Sequence, residues 1–474
     1  MNHAFSKPQG AKQKALSINL DKHPYGTFAE IGAGQEVGAI FFKAGAASGT
    51  VAKTMSAYDM TFSDAIYGAE ESGRYVVQSR VRKMINREYE LLIERLSEKR
   101  GTESLFFAYA NTVTTLNFKK DNEAHGWMGL KFQLKPHSEP NECVIHFKLI
   151  DNDAFLQQQV VGILGVNLIY GCLYRSEEPE NIIIDLMDEL SRDRLEVDMI
   201  RLTGSDFEHV DNRVMALQLV KNKLTRSALF GSSGDVLQAS DVLYKKNILA
   251  YRGRFRPFTL LNQDMYMKGI EQFKKEENIA DNDLVTVAEL TLFNLQGANE
   301  GGQLNYKDFI DRVDILCSLG YTVLISDFQG YYRLASYLSR FTKKKIGIIL
   351  GIYNLADIFT SKLYEKLKGG IMEAFGLLFG GNIKLYVYPA KKFETQEIYD
   401  CDNFVAPENV KYLYSHLHHS NLISNIHDFN EDFLKIMSDK VYEIISSGQS
   451  GWEDMLPPEV TKTIKGKKLF GYKG

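Results

Sequence analysis

Apolar and polar positions alternate with a period that changes along the chain, and each change marks a region. Residues 1–25 are polar and interrupted by Pro8, Gly10 and Pro24, which predicts a mobile arm that orders only against a partner or the body. Small residues dominate 27–68, suggesting close backbone packing, and 79–99 has the charged, amphipathic period of a surface helix. Apolar, β-branched residues at 105–116, alternation at 129–134 and the run CVIHFKLI at 143–150 read as strands, with turns near Gly126 and between Pro136 and Pro140.

Beyond residue 150 short apolar runs alternate with segments of helical period. Counting 143–150, the strands fall at 195–202, 227–230, 247–251, 284–292, 322–326, 346–350 and 383–388. Helical segments lie between them at 153–174, 212–224, near Ser240, and at 264–276, 306–319, 331–341 and 355–379. This grammar predicts an α/β fold built from parallel β-α units. Eight strands favour a (β/α)8-like barrel, with a doubly wound parallel sheet as the alternative. The expected organisation is an arm (1–25), an N-terminal α+β region (26–142), a parallel β-α domain (143–390) and a C-terminal helical cap (391–474). No internal repeat is visible.

Composition narrows the function classes. A chain of 474 residues has length for two or three cores. Its 56 basic and 60 acidic side chains leave a net charge of −4, so no general field attracts a polyanion and nucleic acid is not an expected partner. Cys143, Cys172, Cys317 and Cys401 form no CxxC pair, which argues for reduced thiols over a disulfide scaffold or zinc site. No apolar run follows the early lysines, so a secretory signal is not expected. The apolar stretch 160–173, broken by Gly162, Gly165, Asn167 and Gly171, falls short of the ~20 residues that span a bilayer. It reads as a buried core helix, and the expectation is a cytoplasmic protein with no membrane partner.

Candidate chemistry gathers where parallel strands end. Arg252, Arg254 and Arg256 alternate in YRGRFRP, so an extended segment would project them to one side to grip a phosphate or carboxylate; the competing reading is an ion-pair network. Ser326, Asp327, Gly351 and Lys391 fall at other strand ends, with Gly351 opening a helix where barrels often hold phosphate. Asp151 and Asp153 offer two carboxylates to a Mg²⁺ ion or a general base, against the plainer reading that they cap the helix that follows. The loop from Gly32 to Gly38 has the spacing GxGxxxG, one residue longer than a dinucleotide loop, and small residues there also serve tight packing. His416 and His419 stand three apart on one helix, as metal ligands or as surface histidines. Asp198, Asp211 and Arg213 are further polar candidates.

The strings EIGAGQEVGAIFFKAG, GTVAKTMSAYDM, HGWMG, GVNLIYG, YRGRFRP and GGIMEAFGLLF resemble a bacterial protein family of similar length, from Gly26 to Phe470. Its members carry two labels, TonB-dependent receptor and nicotinate- or nicotinamide-nucleotide adenylyltransferase. The first implies many alternating strands of ~10 residues, whereas the middle of this chain has helical grammar. The second implies an HxGH motif after the first strand, and none of the ten histidines forms one. The residues themselves point to an enzyme binding a small anionic, phosphorylated metabolite or nucleotide at the strand carboxyl ends. No motif names a cofactor. The absence of a complete catalytic motif supports an alternative, a homo-oligomeric scaffold whose glycine-rich N-terminal region and 79–99 helix make subunit contacts.

Overall fold

A computed structural model describes residues 10–295, 304–392 and 395–474. The chain forms two compact units, Met1–Arg226 and Ser227–Gly474. In the first unit the helices are α1 (Ala11–Leu20), α2 (Glu36–Ala44), α3 (Met60–Tyr67), α4 (Gln78–Arg100), α5 (Ala154–Tyr174), α6 (Pro179–Asp185) and α7 (Asn212–Lys221). Its strands are β1 (Pro24–Ile31), β2 (Val51–Met55), β3 (Leu105–Thr114), β4 (His125–Phe132), β5 (Asn141–Leu149) and β6 (Leu195–Thr203).

These six strands make one sheet in the order β2-β1-β3-β4-β5-β6. β1 runs parallel to both β2 and β3, whereas β3 to β6 form an antiparallel meander. Helix α4 packs on β1, β3 and β4, while α5 packs against α1 and α2. A Cβ on Gly165 would lie 2.4 Å from Val37 and 2.6 Å from the Tyr109 hydroxyl, so glycine is what lets α5 approach α2 so closely. By length and composition α5 is apolar enough to cross a membrane, yet 67% of its apolar window is buried in the unit, as expected of a core helix.

One expectation is made specific and two are corrected in this unit; residues 1–9 of the predicted arm lie outside the described residues. Within the predicted arm, residues 11–20 form α1, and Lys14 is buried with its ammonium 2.7 Å from Asp188 and 2.9 Å from Asn167 Oδ1. Ala11, Ala15 and Ile18 supply its apolar face, so the segment orders against the body. The strands expected at 143–150 and 195–202 as the first parallel pair are antiparallel neighbours. Two helices, α5 and α6, connect them, and the chain re-enters the sheet at the end it left. The division of the chain accordingly falls at 226/227, not at 143.

The second unit contains β7 (Ser227–Phe230), β8 (Val236–Leu237), β9 (Asn247–Arg252), β10 (Leu284–Thr291), β11 (Thr322–Ser326), β12 (Ile346–Gly351), β13 (Ile383–Tyr388), β14 (Ala390–Lys391), β15 (Ile398–Tyr399) and β16 (Ile423–Asn425). Its helices are α8 (Ala239–Leu243), α9 (Leu260–Glu277), α10 (Leu292–Leu295), α11 (Tyr306–Ser318), α12 (Tyr331–Leu338), α13 (Ile352–Ile358), α14 (Gly370–Phe379), α15 (Lys411–His419), α16 (Ser438–Ser447) and α17 (Pro458–Lys467).

The main sheet has the order β16-β13-β12-β9-β10-β11-β7-β8 and is open. Six strands are parallel; counted from β9, their order across the sheet is 3-2-1-4-5-6. Of the two predicted architectures, the doubly wound parallel sheet is therefore the one formed. β7, expected to be parallel, runs antiparallel to β11 because it turns directly into β8 without a crossover helix. Three-residue β16 lies within the stretch expected to be a helical cap and completes the parallel set.

Parallel strands covered on both faces read as nearly continuous apolar runs, and TVLIS and IGIILG do so here. On one face Ile248, Ile348 and Leu385 share a core with residues of α12, α13, α14 and α15, such as Leu334, Leu355, Phe375 and Tyr414. On the other, α9 comes close enough that a Cβ on Gly269 would lie 2.3 Å from Ile349. Each aliphatic side chain so buried contributes roughly 1.5–3 kcal/mol relative to exposure.

Candidate functional site

In an open parallel sheet, ligands bind outside the carboxyl ends of the strands where the strand order reverses. That point lies between β9 and β12. The loop after β9 (253–258) and Gly351, which caps the N-terminus of α13, flank it. Lys391 follows β13 in β14, and its carbonyl accepts a hydrogen bond from the Tyr353 hydroxyl at 3.3 Å. Its ammonium stands 3.9 Å from Glu431. Ser326 and the half-buried Asp327 end β11 two strands away.

The three arginines do not act as one comb. Phe255 adopts φ 50°, so the segment leaves the extended conformation between Arg254 and Arg256. For an aromatic residue that geometry costs about 1–3 kcal/mol, offset by burial of the ring against Tyr251 and Phe258. The guanidinium of Arg252 binds Glu289 bidentately at 2.7 and 3.0 Å and lies 4.5 Å from the Tyr331 ring. Arg256 donates to Asp308 at 2.7 Å and lies 3.9 Å over Tyr442. Arg254 lies 3.2 Å from Asp439, and the two side chains are 64% and 67% exposed.

The carboxyl ends of β9, β10 and β11 share a buried polar cluster, the floor of this end of the sheet. Glu289 stands opposite Arg252 in register and is fully buried. The Ser326 hydroxyl donates at 2.6 Å to Glu289 Oε1, the oxygen that Arg252 also reaches at 3.0 Å, and accepts from the Phe328 amide at 3.3 Å. Burial works against the charge of Arg252, but the adjoining carboxylate outweighs it and raises the guanidinium pKa. A second buried arginine fixes the loop: Arg312 donates to the carbonyls of Arg254 at 3.1 Å and Asn294 at 2.9 Å, and pairs with Asp308. Burial, with Arg256 and Arg254 nearby, lowers its pKa. Arg252 and Arg256 therefore position the loop, and Arg254 carries the accessible cation.

The remaining candidates lie elsewhere. Asp153 caps α5, accepting from the amides of Phe155 and Leu156 at 2.9 and 3.0 Å, and Asp151 accepts from Arg194 at 2.9 Å; both belong to the first unit. Asp211 caps α7 in the same way. In the Gly32–Gly38 loop, the amides of Val37 and Gly38 donate to the buried Glu30 at 3.1 and 2.9 Å, so an internal carboxylate takes the place offered to a phosphate. Gly32 has φ 98°, and a Cβ there would fall 1.8 Å from the Val113 carbonyl oxygen, which identifies the packing role. Burial, its largest influence, moves the Glu30 carboxyl up to about 7. His416 and His419 are exposed on α15, and among the described residues no group of three His, Cys, Asp or Glu side chains can hold a metal ion.

Strand pairing also creates an array that one-dimensional reading did not assemble. His125 Nδ1 lies 3.1 Å from His146 Nε2, and His146 Nδ1 lies 2.5 Å from Asp198, which Lys148 also approaches at 2.9 Å. The carboxylate orients one imidazole, which in turn meets the second. Burial first, then His146, lowers His125 to about 4; His146 and Lys148 hold Asp198 well below its ordinary value despite its burial. A polar residue on each of three strands was the available signal, but only the register joins them. Glu289 was equally missed, although a lone acid in the run LVTVAELT is itself a sign of a buried partner.

No family model and no curated protein matches the chain. Among solved structures it is similar to the competence/damage inducible protein CihA from Agrobacterium tumefaciens, with 13% identity, 35% of this chain and 97% of that chain covered, and a TM-score of 0.25. A CinA superfamily protein from Enterobacter cloacae gives 11% identity, 36% and 98% coverage, and a TM-score of 0.27. One from Klebsiella pneumoniae gives 9%, 35% and 99%, with a TM-score of 0.27. These likenesses span about a third of this chain and assign no residue a role.

Proposed function

We propose that the second unit binds a small phosphorylated metabolite or nucleotide in the crevice at the carboxyl ends of β9 and β12. One observation carries this reading: of the three loop arginines only Arg254 has a mostly exposed side chain, and it follows β9, one of the two strands between which the parallel order reverses. Gly351 ends β12 and Lys391 follows β13 at the same end of the sheet, and Ser326, Glu289 and Arg252 form a buried polar cluster at the ends of β9, β10 and β11 that would support a ligand there. The segment after β9 contains no histidine; at the start of α9, Thr259 and Asn262 close a capping box instead. The residues thus favour binding without the HxGH-dependent adenylyl transfer that the family resemblance implies. Four cysteine thiols suit a reducing, cytoplasmic location, which cell fractionation checks.

A thermal-shift series with inorganic phosphate, pyrophosphate, AMP, ATP and NAD tests the binding reading. A ligand at 100 times its dissociation constant stabilises the folded protein by about 2.7 kcal/mol. At least one member is expected to raise the melting temperature of the wild type and to lose that effect with Arg254→Ala. A flat response to all five ligands refutes the crevice; an undiminished shift in the variant removes Arg254 from it.

Assembly into a homo-oligomer is a second reading, favoured by a specific surface of the first unit. Phe42, Tyr58, Met60 and Phe62 are exposed within a short stretch of chain that also includes the edge strand β2. Light scattering coupled to size separation should give more than one chain per particle, and Phe62→Glu should reduce that mass. A monomer at micromolar concentration discards the reading.

A further inference from the structure

We infer that Asp439 is an internal competitor for the crevice, a carboxylate that occupies Arg254 until the phosphate of a ligand displaces it. This inference rests on the binding reading above and adds the regulation of that site. Asp439 lies in the first turn of α16, and its two oxygens stand 3.2 and 3.5 Å from one Arg254 nitrogen. The same helix supplies Tyr442, whose ring lies 3.9 Å from the Arg256 guanidinium. Helix α16 therefore contacts both outer arginines of the loop, through an anion on one and an aromatic face on the other.

The two contacts differ in how readily they yield. Arg256 is also tied to the buried Asp308, and the loop backbone is held by Arg312, so Tyr442 packs on a fixed cation. Arg254 and Asp439 are both mostly exposed, and an exposed pair is held weakly and screened by salt. A carboxylate presents the same planar pair of acceptor oxygens that a phosphate presents to a guanidinium. Ligand entry thus needs no movement of the floor, only rotation of one surface side chain away from Arg254. The weak pair sets the size of the effect: removing Asp439 should tighten phosphate binding by about two- to fivefold, and less at high salt.

The experiment compares the affinity of inorganic pyrophosphate for the full-length wild type, Asp439→Asn, Glu443→Gln and Arg254→Ala by calorimetry at low and high salt. Glu443 is an exposed acid one turn further along α16, so Glu443→Gln measures the general effect of losing a negative charge. Tighter binding in Asp439→Asn by two- to fivefold, with little change in Glu443→Gln and loss of binding in Arg254→Ala, supports the competitor. Equal tightening in both charge variants, or none in Asp439→Asn, overturns it while leaving the crevice intact. Failure of pyrophosphate to bind any of the four proteins overturns the competitor for this ligand, and the five-ligand series then decides the crevice separately.

Discussion

At the carboxyl end of β1, a glycine loop leads into α2, and the helix amides there are bonded to Glu30 from the preceding strand. At the carboxyl end of β9, a loop with Gly253 leads into α9, and the nearby ionic group, Arg254, projects into solvent. Both loops follow the strand from which the parallel order spreads to either side. The first satisfies its helix amides with an internal carboxyl; the second has buried carboxylates for Arg252 and Arg256 and only an exposed one for Arg254. The local sequence pattern of strand, glycine and helix is therefore no guide to anion binding. What matters is whether the fold already provides the counter-charge.

The largest effect should come from breaking the closed part of the second loop. Arg252→Ala leaves Glu289 fully buried with Ser326 as its remaining donor, and removing one partner of a buried pair costs about 3–5 kcal/mol. Chemical denaturation should show that loss. A cost below about 1 kcal/mol would mean that water reaches Glu289 and that the floor is open, erasing the contrast with Arg254.

In the first unit the test is pH. Glu30 titrates at about 7 in the folded protein, against an ordinary 4.5 in the unfolded chain, so between those values the folded state holds the extra proton. Its contribution to stability is complete below pH 4.5 and is lost as pH rises through 7, a change of about 3 kcal/mol. Relative to Glu30→Gln, the wild type should lose about that much between pH 4.5 and 7 in denaturation measurements. A difference that stays constant over this range would show that the carboxylate is solvated, and the loop at β1 would then be free to take an external anion.

How much of this was legible beforehand follows from the range of the forces involved. Runs such as IGIILG and IKLYVY announce buried parallel strands because burial on both faces leaves no polar alternation, and YRGRFRP marked the loop that matters. Strand direction was not legible between β5 and β6, because the short α6 turned an expected crossover into a return. Nor were the partners of the arginines: Glu289, Asp308 and Asp439 are 37, 52 and 185 residues from the arginines they bind. The array of His125, His146 and Asp198 depends likewise on register, which a single sequence leaves open when three strands must align.

A smaller effect separates capping from catalysis at the start of α5. Asp153→Ala removes an N-cap that accepts from two amides and should cost about 1 kcal/mol, with Asp153→Asn recovering most of it. If the Ala variant is as stable as the wild type, the capping assignment fails and the carboxylate regains its place among candidate acids.

The smallest expected change is at Arg254, and its smallness is informative. The pair with Asp439 is exposed on both sides, so Arg254→Ala should alter stability by less than about 1 kcal/mol. Set beside the loss at Arg252, two residues away, that result would show one loop carrying both a locked cation and an available one. Equal losses at the two positions would mean that Arg254 is held as firmly as Arg252. The second loop would then be satisfied from within, as the first is, with no unsatisfied charge for a ligand to meet.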